Sequence, residues 1–202
     1  MHWGRVEVDA GFLLLVAWMN YLDTQNLVPL ALAACACHEL GHYVVLRWLG
    51  NDVQLLRLTA AGAEMRPVLP MSYGQELLAV AAGPLTSFLL AFLFGQWQVG
   101  WLFAGLNLVL GCFNILPVSR LDGGRGLKCI LALLIEPDVS AEICAYLDLI
   151  LTISLLGLGL FLALSAGNLT LLTVSIWLAL SYFNGNERKK GLPDWTKTGK
   201  IR

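Results

Sequence analysis

The sequence predicts an all-α polytopic membrane protein of about six transmembrane helices, with a small membrane-associated β-hairpin after the second. Of 202 residues, 57 % are hydrophobic and 13 % charged, against roughly 25 % charged in soluble domains, and the mean hydropathy is +0.70. Six apolar stretches reach or approach the ~20 residues that cross a bilayer. The basic residues also fall on one side of a six-span arrangement.

The first stretch, Gly11–Leu22, is short and reaches spanning length only by borrowing Val6 and Val8. Leu27–Leu49 is the second. Val53–Leu69 is neither a span nor an ordinary polar linker: two strand-like runs flank Ala61-Gly62, a hairpin signal, although a plain connector accounts for it equally well. The remaining spans are Leu77–Phe94, Val99–Val118 (which Pro117 should break), Ile143–Ser165 and Leu169–Tyr182. Together they make residues 1–185 one intramembrane domain, with 186–202 a basic cytoplasmic tail.

If the spans alternate, the connections at Asp23–Asn26, Gln96–Gln98 and Gly167–Asn168 carry no Lys or Arg, and all 13 basic residues lie opposite. The positive-inside rule makes that basic side cytoplasmic, with both termini there. The tail from Arg188 onward is then an orientation signal, and no nucleic-acid partner is needed to explain it. Cys35, Cys37, Cys112, Cys129 and Cys144 are odd in number, and four lie in or beside spans, which argues against a disulfide framework. Leu32-Ala33-Ala34-Cys35 imitates a lipoprotein signal, but Asn20, Asp23 and Asn26 interrupt its apolar region.

Chemistry concentrates in the second span, which contains His38-Glu39-Leu40-Gly41-His42. On a helix, residues i and i+4 share a face, so both imidazoles can reach one Zn²⁺ while Glu39, about 100° round, is placed as a general base. Ionisable side chains cost about 2.5–3.5 kcal/mol each at the centre of a membrane helix, so three in one turn need a compensating role. A catalytic zinc normally has three protein ligands. The remaining histidine, His2, falls at the cytoplasmic surface, which leaves Asp122 in Asn114-Ile115-Leu116-Pro117-Val118-Ser119-Arg120-Leu121-Asp122-Gly123-Gly124-Arg125 as the better third candidate. Pro117 and the paired glycines would set it at a helix-breaking bend, though a plain helix N-cap would also put an aspartate there.

His38-Glu39-x-x-His42, with Asn114-x-x-Pro117 and Leu121-Asp122-Gly123-Gly124 at the expected spacing, resembles the site-2 protease family of intramembrane zinc metalloproteases. A weaker match is Ala81-Ala82-Gly83-Pro84, after which the family commonly has an asparagine where this chain has Ser87. Ser119-Arg120 stands where many relatives carry a further proline, and PDZ-like or CBS modules are not expected. In its compact layout the chain is most similar to the short bacterial branch typified by the stage IV sporulation protease, which implies a bacterial cell membrane.

The resemblance implies Zn²⁺ held by His38, His42 and Asp122, with Glu39 as general base and later general acid, in regulated intramembrane proteolysis of a membrane-protein substrate. Asn114 would donate to the substrate backbone or to the developing oxyanion, unless it serves only as a hydrogen bond between helices. Val53–Leu69 would receive the substrate as an added strand. Arg120 and Arg125 bracket Asp122 and belong near headgroups, so access to the site is expected from the cytoplasmic side. Cys35 lies one turn before His38 and is expected to take no part in zinc binding; Asp148, near the start of its span, is expected to reach water. The alternative function is that of a catalytically silent homologue acting as a chaperone or sequestering factor. Retention of Glu39 and all three candidate ligands argues against it, and a metal transporter would need ionisable residues on more helices.

Overall fold

A computed structural model describes residues 2–3, 6–59, 62–167, 171–176 and 178–180. The chain divides into two compact units, Met1–Glu142 and Ile143–Arg202. In the first, strands β1 (His2–Trp3) and β2 (Val6–Val8) precede helices α1 (Ala10–Leu22) and α2 (Leu27–Trp48). The hairpin β3 (Val53–Thr59) and β4 (Gly62–Pro67) follows, then α3 (Tyr73–Phe94), α4 (Trp101–Asn114) and α5 (Asp122–Leu134). Helix α6 (Pro137–Ala166) begins here and continues through the second unit, where Leu171–Leu180 is a further short apolar helix.

Local chemistry sets these boundaries. The Asp9 carboxylate accepts the Gly11 amide and starts α1, so Val6 and Val8 do not extend the first span as expected. They form β2, parallel to β3, with Val6 opposite Leu56 and Val8 opposite Leu58. Asn26 takes a left-handed conformation (φ 56°) before α2, and Asp23 accepts the Val28 amide at 2.7 Å. Four amide hydrogen bonds, that from Val28 foremost, hold the Asp23 carboxyl below its usual value of 3.8. Gly50 (φ 78°) closes α2. A reciprocal Ser72–Gln75 capping box opens α3.

The expected hairpin is present as β3–β4, paired from Thr59↔Gly62 to Val53↔Pro67; Ala61 of the anticipated turn lies outside the described residues. Buried Asn51 clasps its open end, donating to the Leu69 carbonyl (2.8 Å) and accepting the Leu69 amide (3.0 Å). The sheet order β1-β2-β3-β4 makes β3 an interior strand and leaves β4 at an edge. Helix α3 is the hub of the first unit, packing on α2, α4 and α5. Its buried residues are mostly small (Ala79, Val80, Ala82, Gly83, Pro84 and Ser87), which lets neighbouring backbones approach closely.

Among the described residues, three helices, α2, α3 and α6, are long and apolar enough to cross a membrane. The other three expected spans are shorter apolar helices: Ala10–Tyr21, Gln98–Asn114 and Leu171–Leu180. At 1.5 Å per residue such a helix is roughly 15–26 Å long against a hydrocarbon core of about 30 Å. Among these, the Val99–Val118 stretch loses its last turn because Leu116 precedes Pro117 and is driven out of the helical region. The basic tail, 186–202, lies outside the described residues.

Candidate metal centre

His38 and His42 project from one face of α2, their Nε2 atoms 3.2 Å apart and their rings at 77°. Asp122 arrives from a different element 80 residues later. It is the first residue of α5, not its N-cap, which is Leu121. Its Oδ2 lies 3.0 Å from His38 Nε2 and 3.1 Å from His42 Nε2. The sequence-derived ligand set is thus assembled at one point, with His38 buried and the other two partly so. Oδ2 and the two Nε2 atoms form a near-equilateral triangle.

The glycine pair accounts for how Asp122 gets there. A Cβ at Gly123 would collide with the Ile115 carbonyl, and one at Gly124 with the Val118 carbonyl. Only glycine at 123 and 124 therefore lets the first turn of α5 lie against the 115–119 segment that follows α4. A third such contact is made by α3, where a Cβ at Gly83 would run into His42 Nε2 and Cε1 and sit 2.6 Å from His38 Nε2. Gly41 plays the same part from α2: its Cβ would stand 2.8 Å from the Ala82 carbonyl and closer to Thr86 Oγ1. The Ala81–Pro84 match therefore has a steric reason.

Each imidazole is also held from behind by α3. His42 Nδ1–H donates to the Ala79 carbonyl at 2.7 Å. His38 Nδ1 is 2.9 Å from Ser87 Oγ, which is fully buried. Ser87 was the position that departed from the family pattern. It faces the site without matching the motif, and its spacing of one turn from Gly83 on the buried face of α3 is the sequence signal for it. An Arg125–Glu76 ion pair (3.2 Å) ties the first turn of α5 to that of α3; being partly exposed, it contributes at most ~1 kcal/mol.

The donor set fits zinc. A carbonyl can only accept, so a neutral His42 carries its proton on Nδ1 and turns the Nε2 lone pair toward Asp122. Lone pair then faces carboxylate at 3.1 Å, an arrangement that a cation between them reconciles. Donors around a tetrahedral zinc with bonds of about 2.0–2.1 Å stand ~3.3 Å apart, and the three separations here are 3.0, 3.1 and 3.2 Å. Backing of the ligating histidines by a carbonyl and a hydroxyl is the usual outer support of such a site.

The other candidates are placed less directly. Glu39, partly buried on the adjoining face of α2, interacts electrostatically with His42, His38 and Asp122 and with Arg125. Asn114 ends α4, and its amide nitrogen donates to the Leu110 carbonyl one turn back (3.0 Å), leaving its second N–H for another acceptor. Cys35 is exposed on α2, outside the ligand triangle. Asp148 is buried in the second unit, contrary to the expectation that it reaches water; it belongs to the interior of α6.

No family model matches the chain. Over 204 residues it is 27 % identical to zinc metalloprotease MJ0392 of Methanocaldococcus jannaschii, covering 92 % of this chain and 58 % of that protein. It is 32 % identical over 170 residues to Rip3 of Mycobacterium tuberculosis, covering 73 % of this chain and 41 % of Rip3. The chain thus spans less than two thirds of these relatives. Among solved structures, the site-2 protease from Methanocaldococcus jannaschii superimposes with a TM-score of 0.67 at 23 % identity, over 91 % of this chain and 92 % of that one, which establishes a shared fold.

Proposed function

The chain belongs to the site-2 protease family of zinc metalloproteases, and on that premise we propose that it is an intramembrane endopeptidase cutting transmembrane or membrane-proximal segments of a protein substrate. The observation that carries this reading is the triangle in which Asp122 Oδ2, from the first turn of α5, meets His38 Nε2 and His42 Nε2 of α2, a helix long enough to span a membrane that also carries Glu39. His38, His42 and Asp122 would hold Zn²⁺, which would supply a Lewis acid for the scissile carbonyl and bring the pKa of water toward ~7. Glu39 takes the proton of the attacking water and later passes it to the leaving amine. Asn114 donates its remaining N–H to the developing oxyanion or to substrate backbone.

A helical substrate hides its carbonyls and has to unwind before cleavage, and an added strand is the natural receptacle for it. Order β1-β2-β3-β4 supports β4 as that receptor, since β3 is already paired on both sides. If the six apolar segments alternate across the membrane, all 13 basic residues fall on one side, which supports a cytoplasmic location for both termini and for access to the site. The likeness to the sporulation-type branch, and with it regulated proteolysis in a bacterial membrane, rests on the motifs. The intact Glu39 and ligand set speak against a catalytically silent chaperone.

The decisive variant is Glu39→Gln. Because Glu39 is not a ligand, the purified variant should keep about one zinc per chain while cleavage falls roughly 10²–10⁴-fold, and it should trap substrates for identification. His42→Ala or Asp122→Ala should lose zinc. Complete zinc loss in Glu39→Gln would refute the role given to it.

A further inference from the structure

The two histidines present Nε2 to the same carboxylate but are backed by chemically different groups. The Ala79 carbonyl behind His42 can only accept, so it fixes one tautomer, proton on Nδ1 and lone pair on Nε2. Behind His38 stands the Ser87 hydroxyl, which can accept or donate. Its oxygen is 2.9 Å from Nδ1, and the residue is 0 % exposed, so bulk water does not compete for that bond. A backbone carbonyl one or two turns along α3 would have locked His38 as His42 is locked; this chain uses a reversible partner instead.

We propose that Ser87 is a positioning residue that lets His38 exchange tautomers as the site loads, an inference that rests on reading the triangle as a zinc centre. In the metal-free protein Ser87 Oγ–H donates to His38 Nδ1, and His38 Nε2–H donates to Asp122 Oδ2. That single hydrogen also faces His42 Nε2 at 3.2 Å, so it satisfies two of the three contacts in the triangle at once. In the loaded protein the hydroxyl turns round: Nδ1–H donates to Ser87 Oγ, and the Nε2 lone pair faces the metal. The exchange moves one proton from Nε2 to Nδ1, so none is released overall. An acceptor-only partner behind both rings would instead aim both Nε2 lone pairs at the Asp122 carboxylate.

Imidazole ¹⁵N–¹H spectra of the detergent-solubilised full chain, labelled at histidine, test this directly. A His2→Gln background leaves only the two site histidines. His42 should carry its proton on Nδ1 with and without zinc, whereas His38 should carry it on Nε2 without zinc and on Nδ1 with it. Ser87→Ala should weaken zinc binding about 10–100-fold in chelator competition, the usual effect of losing an outer partner, and Ser87→Thr should restore most of it. His38 found with its proton on Nδ1 in both states, or Ser87→Ala binding zinc as tightly as wild type, would overturn the proposal. Should Ser87→Ala not fold, the wild-type spectra decide alone. A wild-type protein that binds no zinc at all would instead remove the metal-centre reading on which the proposal rests.

Discussion

Gly83→Ala should disable the metal centre without touching a ligand. The new Cβ would lie 2.6 Å from His38 Nε2 and closer still to His42 Nε2 and Cε1. Non-bonded heavy atoms need about 3.5 Å, so His38 has to retreat by roughly 0.9 Å and His42 by more. Ligand distances in a working site hold within about 0.2 Å, so at least one imidazole is displaced from the triangle. Moving α3 away offers no escape, because Ala79 and Ser87, which hold both rings, are on the same helix. Zinc affinity should fall at least ~100-fold, or about 2.8 kcal/mol at 1.4 kcal/mol per decade. Competition against a chromophoric chelator measures it. Gly105→Ala is the control: that glycine is also inside a helix, but its Cβ would meet nothing within 4 Å, so zinc binding should not change and stability should rise by roughly 0.5–1 kcal/mol. Wild-type zinc affinity in Gly83→Ala, or equal losses in both variants, would refute the steric argument.

Strand addition makes a prediction about alternate residues. Thr59 and Gly62 flank a two-residue connection and form a hydrogen-bonded pair, so the amides of Ala63 and Met65 point outward from β4. Ala63→Pro and Met65→Pro should sharply reduce cleavage with zinc unchanged, and Met65→Ala should do so mildly; cleavage surviving both prolines would exclude this edge. Proline within Gln54–Leu58 should instead damage the fold, since β3 is interior. Reporter fusions should find both termini and Val53–Leu69 in the cytoplasm, and an external C-terminus would remove cytoplasmic access to the site. The Asp23 carboxyl is held below 3.8 by its amide donors, so its contribution is full above the ordinary carboxylate range and is lost as pH falls through the lowered value. Thermal stability should therefore drop in that acidic window in the wild type, and the drop should be smaller in Asp23→Asn.

Determined by sequence alone were the features that add up locally. Hydropathy is a sum over neighbouring residues, and among the described residues each apolar stretch it marked holds a helix, three of them long enough to cross a membrane, although α6 starts six positions before the expected Ile143. The His38–His42 spacing needs only helical periodicity to put both rings on one face, and Val53–Leu69 carried its own hairpin pattern. What tertiary structure decided depends on residues far apart in the chain. Val6 and Val8 look like the start of a span until Leu56 and Leu58 offer β2 a parallel partner. Helix lengths fell short of six spans where Asp9 and Pro117 set the ends. Asp122 could equally have been an N-cap; it is aimed at His38, 84 residues earlier, only because Gly123 and Gly124 let α5 lie against the 115–119 backbone. Ser87 departs from its family's pattern, and its role emerges only where α3 crosses α2 closely enough for a hydroxyl to reach an imidazole, a contact that one-dimensional periodicity cannot encode.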